Sequence, residues 1–413
     1  LDFATYIIDA GGTKHYNLFE NALNNVNPWE MSGHYPKAYE MMSLFEGLAE
    51  YYRVIGNPQH KEMLLNMFHN IGTKEITIIG NGGSDQPYHP YVYGEAWGNT
   101  ALEQTNPDIT RMMETCVGVT WMKFCSQLLR LTGDPSVADY IEKYAYNGLI
   151  GAMKPTGDGF SYVNLLNGSK VTDEGWGWKF DSLQVTCCNL NGPMGLAYIP
   201  YVAVMNSDNG PVINLYNQGD FDFETPGKRA GSITINTDYP VSGKIQIQLH
   251  LKKSESFTIR LRIPEWSETT TVSVNNEPIE VNPGSYAEIN RKWATDDSID
   301  LELDMRCRVI DAPRGSNRAG DNFQAVLYGP VVLARDENIE SNYNEPVRLA
   351  SEKGFINALQ QQPINGRSNL QFSVPLQGGE YITLIDYASV NNWGNDMHVC
   401  TWLPIKENES NVK

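Results

Sequence analysis

Val185-Thr186-Cys187-Cys188-Asn189-Leu190-Asn191-Gly192-Pro193 sets two adjacent cysteines against a Gly-Pro turn, and an apolar segment follows from Met194 to Met205. Upstream, Met113-Glu114-Thr115-Cys116 opens another apolar-periodic segment. Zinc takes thiolate, imidazole or carboxylate ligands, normally four in a tetrahedron. Glu114, Cys116, Cys187 and Cys188 are therefore read as converging on one metal ion. Their spacing restricts how this can happen. Glu114 and Cys116 are two apart, about 200° on a helix, and neighbouring residues of a strand point to opposite faces. Each pair needs a helix start or an irregular turn, and Asn189 to Pro193 is expected to supply one.

Other readings of the same residues stay open. Four unrelated residues, three of them buried thiols, would give the same sequence. A purely structural zinc suits four protein ligands, since such a site keeps no open position for water. Glu95 and Glu114 could equally form a metal-free carboxylate pair, the usual arrangement in glycosidases. A bond between Cys187 and Cys188 is not expected, because a disulfide between neighbours is strained. Six cysteines in 413 residues are too sparse for a disulfide scaffold. Cys125, Cys307 and Cys400 sit among apolar residues and read as ordinary buried thiols.

Working outward, residues 1–205 read as mostly helical. Lys37 to Ile55 places Ala38, Met41, Met42, Phe45, Leu48, Ala49 and Tyr52 at three- and four-residue spacing. It stops at Gly56-Asn57-Pro58, where a second helix to Gly72 begins. Ile76 to Gly98 reads as a short β-like run followed by a long functional loop. Helical periodicity returns from Thr110 to Leu131, stops at Gly133-Asp134-Pro135, and resumes to Ala152. Helix pairs with such short connections suggest an α/α-barrel. About six helices are visible where a ring of six hairpins needs twelve, so the barrel is expected to be incomplete at its N-terminal side, with the remainder upstream of Leu1. From Asn206 the texture changes to alternating strands such as Ser232–Asn236, Lys244–Leu249, Phe257–Arg262 and Ser298–Leu303, the pattern of antiparallel β-sandwich domains. A second β-rich region holds Phe323 to Ala334 and Tyr381 to Ile385, placed to pack back on the helices. The expected domains are 1–205, 206–312 and 313–413.

Composition narrows the partners. A formal charge of -18 argues against nucleic acid, which needs clustered Lys and Arg. No run of 18 apolar residues marks a membrane span. The 9 Trp and 22 Tyr suit sugar stacking, although aromatic residues fill cores more often. Gly80-Asn81-Gly82-Gly83-Ser84 lacks the lysine of a phosphate loop and reads as a turn. Trp176 and Trp178 could stack on a sugar or pack a rim.

The strings Glu-Thr-Cys-Val-Gly-Val-Thr-Trp-Met-Lys-Phe-Cys (114–125), Leu-Leu-Arg-Leu-Thr-Gly-Asp (128–134), Phe-Ser-Tyr-Val-Asn-Leu-Leu (160–166) and Cys-Cys-Asn-Leu-Asn-Gly-Pro (187–193) resemble the β-L-arabinofuranosidase family, glycoside hydrolase family 127, and its relatives. The likeness runs with gaps from His34 to Met205. A weaker echo lies in Leu327–Val332 and Asp386–Asn392. The resemblance implies a multidomain α plus β chain, an (α/α)6-barrel-type catalytic domain followed by antiparallel β-sandwich domains. It implies zinc held by Glu114, Cys116, Cys187 and Cys188, with Cys187 as nucleophile and Glu95, in Gly94-Glu95-Ala96-Trp97, as general acid/base. Tyr162 would line the sugar site, and His34, His89 and Trp97 are carried as further substrate contacts. The implied partner is a carbohydrate, plant arabinan or glycoprotein-type sugar, and a homodimer is entertained. A bacterial periplasmic or secreted setting is expected in preference to the cytoplasm. A relative that kept the fold and lost catalysis is the alternative. The chain departs from the family at Asn189–Met194, where Pro-Pro-Asn and an Arg are usual, and has three more residues between Glu95 and Glu114.

Overall fold

The computed structural model describes residues 1–32, 36–85, 94–109, 111–169, 186–313, 322–364, 368–391 and 398–406. Its N-terminal part is helical: α1 Asp2–Asp9, α2 Leu18–Leu23, α3 Ala38–Ile55, α4 Pro58–Lys74, α5 Thr100–Glu103, α6 Thr115–Thr132, α7 Pro135–Lys143, α8 Ile150–Ala152 and α9 Cys187–Ala203. The two helix stops legible in the sequence use one device. Gly56 and Gly133 close α3 and α6 in the left-handed conformation, at φ 75° and 62°. Asn57 and Asp134 then cap the next helix through their side chains, and Pro58 and Pro135 fill its first position. A π-turn, Tyr144–Leu149, joins α7 to α8. The buried faces of α3, α4, α6 and α7 meet in one core containing Phe45, Met67, Trp121, Phe124 and Ile141. Among the described residues no helix is long and apolar enough to cross a membrane.

Ile76–Ile79 is a turn and not the short strand expected, because Thr77 bonds through both its N–H and its hydroxyl to the Asn81 carbonyl. The segment after the cysteine pair also differs from expectation. Asn189 to Pro193 forms no turn: α9 starts at Cys187, under the Thr186 cap, and carries Pro193 and Pro200 inside it.

Two antiparallel-dominated sheets follow. One has the order Ser285–Trp293, Glu255–Ile263, Gly210–Ile213, Val204–Ser207, with a parallel pairing between the second and third strands. The other runs Gly219–Glu224, Ala230–Thr237, Lys244–Leu251, Ser298–Glu302, Thr271–Val274, Glu277–Ile279. Ile213, Ile259 and Leu261 of the first share a core with Ile233, Ile247 and Ile299 of the second. Alternation within each strand puts these residues on one face.

A ten-stranded sheet completes the fold. Cys307–Asp311 belongs to it, paired with Phe323–Tyr328, so the structure leaves the middle region before Cys307 and not after Ala312. The hairpin Phe323–Tyr328 and Val331–Asp336 lies at its centre. One face buries Ala325, Leu327, Val332 and Ile385 against Ile79, Met112, Met113 and Leu166 of the helical part. Asn167–Ser169, from the helical part, pairs with His398–Cys400 as an added strand. The C-terminal sheet thereby packs under Met112 and Met113, the residues that lead into α6.

Candidate metal-thiolate active site

Both ligand pairs sit at helix N-termini, which resolves the spacing problem. Glu114 is the N-cap of α6, at φ -54° and ψ 134°, and its carboxylate makes no capping bond. It is turned instead toward the thiols. Cys116 lies two residues inside α6, and Cys187 and Cys188 open α9. At such a terminus the free N–H groups and the helix dipole favour negative charge, so two helices jointly favour thiolates here. The approach to α6 is strained: Met113 is at φ 61°, clamped by its N–H bond to the Gly83 carbonyl and by Asn81, whose amide donates to the Met113 and Glu114 carbonyls at 3.1 and 3.2 Å.

The four donor atoms all lie within 4.8 Å of one another. Cys116 Sγ and Cys188 Sγ are 3.5 Å apart, and Glu114 Oε1 is 3.5 Å from Cys187 Sγ and 3.8 Å from Cys188 Sγ. A tetrahedron with bonds of about 2.3 Å has edges of about 3.8 Å, so this donor set fits a zinc ion. Asn191 adds a bond that the sequence did not reveal. One helical turn after Cys187, it donates to Cys116 Sγ at 3.2 Å and to the Cys187 carbonyl at 3.1 Å. Knowing that α9 begins at Cys187 would have found it.

Electrostatics separates the thiols. Hydrogen bonds from Cys116 and Cys188 hold the Cys187 thiol far below the usual thiol range. Burial raises Cys188, and the bond to Cys187 raises Cys116. Burial first, then the charges of Glu95 and Cys187, push the Glu114 carboxyl well above the carboxylate range. Cys187 is also the exposed thiol of the six free ones, the others being buried.

Glu95 lies in an extended segment fastened to the start of α3: Ala38 N–H donates to the Glu95 carbonyl at 2.9 Å and Trp97 N–H to the Pro36 carbonyl at 2.8 Å. Gly94 before it is at φ 77°, and a Cβ there would press on the Met112 backbone at 3.0 Å, so glycine is needed for the close approach. The Tyr162 hydroxyl donates to Glu95 Oε1, while Lys37 Nζ is 3.2 Å from Glu95 Oε2. Burial alone would lower the Lys37 ammonium, but Glu95 and Glu40 outweigh it and hold it above its ordinary range. No motif had marked Lys37. The Tyr162 carbonyl faces Cys188 Sγ at 4.0 Å, so one residue touches both halves of the site.

Trp97, expected to contact substrate, is 0% exposed and packs within the helical core. His34 and His89, and likewise Trp176 and Trp178, lie outside the described residues.

The helical part thus presents a carboxyl-phenol pair and a glutamate-cysteine cluster, backed by antiparallel sheets. Residues 1–200 match the family model "Beta-L-arabinofuranosidase, GH127 catalytic domain" and residues 212–305 the GH127 middle domain. The chain belongs to glycoside hydrolase family 127. It is 24% identical over 387 residues to a non-reducing end β-L-arabinofuranosidase of Bifidobacterium longum subsp. longum, covering 82% of this chain and 54% of that protein. The chain thus spans about half the length of that curated relative. A GH127 β-L-arabinofuranosidase of Geobacillus stearothermophilus T6 superposes with TM-score 0.75 at 21% identity, over 98% of this chain and 69% of the other. Another GH127 β-arabinofuranosidase gives TM-score 0.79 at 21% identity, over 98% and 65%. At that identity the likeness carries the fold.

Proposed function

We propose that this site performs retaining hydrolysis of a β-L-arabinofuranoside, or a related sugar of plant-type glycans, with Cys187 as nucleophile and Glu95 as acid/base. The supporting observation is the convergence of Glu114, Cys116, Cys187 and Cys188 within 4.8 Å, with Glu95 held beside them through Tyr162. Zinc, bound by those four residues, would keep the thiols deprotonated at neutral pH.

The Cys187 sulfur attacks the anomeric carbon as the C–O bond to the leaving group breaks, and Glu95 gives its proton to the departing oxygen. The product of this step is a thioglycoside on Cys187 and an ionised Glu95. Lys37 on Oε2 and Tyr162 on Oε1 stabilise that carboxylate and fix its direction. Glu95 then takes a proton from water, the water oxygen attacks the same carbon, and the C–S bond breaks to return the Cys187 thiolate. Two inversions leave the configuration retained. A metal-free pair of Glu95 and Glu114 is less well supported, because Glu114 is 3% exposed and turned toward sulfur. The match with the B. longum enzyme supports the choice of sugar.

The test is metal analysis with activity of Cys187→Ala and Glu95→Gln on p-nitrophenyl β-L-arabinofuranoside. The expected result is one zinc per chain and at least a hundredfold loss in each variant, the scale of removing an acid/base catalyst. Full activity in both variants overturns the mechanism. Glycan binding without turnover by the unaltered chain favours a relative that has lost catalysis.

A further inference from the structure

The first turn of α9 is fastened at three points. Thr186 Oγ1 accepts the Asn189 N–H at 3.3 Å, and Asn189 Oδ1 accepts the Phe160 N–H at 2.8 Å. Gly192 lies so close to the Phe160 ring that an added Cβ would stand 2.4 Å from it. Asn191 sits between the last two contacts, so its side chain leaves a backbone held on both sides. It is buried, at 7% exposure.

The Asn191 amide donates to two acceptors, Cys116 Sγ at 3.2 Å and the Cys187 carbonyl at 3.1 Å. A carbonyl can only accept, so Cys187 fixes which end of the amide carries the hydrogens and keeps a donor facing the sulfur. The other end is left wanting: Oδ1 is buried with no partner among the described residues. An unpaired buried acceptor is costly. If the position needed only bulk, an apolar side chain would fill it without orphaning an oxygen. Both N–H bonds are instead spent on one sulfur of α6 and on the backbone of the residue that opens α9.

We propose that Asn191 is a positioning residue for the metal centre, an inference that rests on the zinc-thiolate reading above. Its N–H holds the Cys116 sulfur within the donor set and draws off part of that sulfur's negative charge. Hydrogen bonds of this kind fix the direction of a metal ligand and tune the metal it binds. Cys116 thereby stays a ligand, and Cys187, the exposed thiol, is left as the sulfur that reacts.

The experiment strips metal from the full chain under reducing conditions and loads it with cobalt(II). The near-ultraviolet thiolate-to-cobalt charge-transfer band is then read in the parent, Asn191→Leu and Asn191→Ala. Zinc affinity of each is measured alongside, by competition with a chromophoric chelator. Leu keeps the branched shape without the N–H, and Ala tests the same loss without added bulk. A circular-dichroism melt checks that each variant is folded. Both variants are expected to keep the band, shifted to longer wavelength because the sulfur regains charge, and to bind zinc about 10–100-fold more weakly. An unmoved band with parental zinc affinity in the folded variants overturns the inference and leaves the zinc-thiolate reading intact. Parental behaviour in Leu but not in Ala, or weaker zinc with an unmoved band, makes Asn191 a space-filler and overturns it equally. A parent without any charge-transfer band overturns the zinc-thiolate reading itself, and this inference with it.

Discussion

Replacing Arg262 by Leu tests the account of how the helical part is joined to the middle sheets. Arg262 is 0% exposed, yet its guanidinium spends every arm. Nε donates to the Asn214 carbonyl at 2.5 Å, Nη2 to Glu142 Oε1 at 2.6 Å, and Nη1 to Asp139. Both acids lie on α7. Glu142 keeps two donors without the arginine, Tyr239 at 2.7 Å and Trp266 at 3.3 Å, whereas Asp139 retains only a backbone bond at 3.4 Å among those described. Breaking a buried pair from one side typically costs about 3–5 kcal/mol. At about 2 °C per kcal/mol for a chain of this size, the unfolding midpoint should drop by roughly 6–10 °C. The sign with pH follows from Asp139, which burial pushes up to about 6 in the folded chain although Arg262 pulls against it. A group whose folded value is raised contributes stability that is complete below its unfolded value, about 3.9, and is lost as pH rises through the folded one. Without Arg262 that rise grows, so the variant should lie nearer the parent at about pH 5 than at about pH 8. Thermal unfolding followed by circular dichroism at both pH values decides the matter. A drop below about 2 °C at the higher pH, or equal drops at both, refutes the reasoning.

Gly192→Ala places a Cβ 2.4 Å from the Phe160 ring, so overpacking of about 1–3 kcal/mol and a lower melting midpoint are expected, with reduced zinc content because α9 carries two ligands. Lys37→Met should cost about tenfold in kcat/KM on the p-nitrophenyl substrate through loss of a charge-assisted partner of Glu95, with Lys37→Arg much milder. Equal activity of Lys37→Met and the parent excludes that role. Removing metal with a strong chelator should abolish turnover and leave Cys187 open to iodoacetamide, while zinc-loaded chain stays protected. Mass spectrometry after alkylation reads this directly, and identical labelling with and without metal contradicts a shared ion.

Local chemistry in the sequence reached some features and missed others for definable reasons. Alternation at Ile233, Ile235, Ile245 and Ile247 announced strands because each residue's face depends only on parity. The stops at Gly56 and Gly133 were legible because left-handed glycine, capping side chain and proline act within three residues. Pro193 misled for the same reason: a proline inside a helix removes one bond and is usually a stop, yet α9 keeps it with Gly192 seated on Phe160. That contact is tertiary and leaves no local trace. Trp97 lies two residues after Glu95, a spacing that extended backbone would put on one side, yet its ring is buried in the helical core, a tertiary outcome that the motif does not show. Lys37 belongs to the site only because the segment around Glu95 bridges to the start of α3, through Lys37 and Ala96. Cys307–Asp311 was placed on the wrong side of a boundary because strands of both sheets share one texture.

The strand Asn167–Ser169 has a bearing on how the protein is made. Its partner, His398–Cys400, leaves the ribosome long after Cys187 and Cys188 have been synthesised. The same late stretch supplies Thr401 and Trp402, whose N–H groups donate to Asn167 Oδ1 at 3.1 and 3.0 Å, and Trp402 also reaches Gln104. Helices that could collapse early therefore wait for that later stretch before the floor beneath Met112 and Met113 is closed. Until then the thiols stand on an unfinished frame. Synthesis of residues 398–402, and not of the cysteines, is the earliest moment at which the frame around the thiols can be complete.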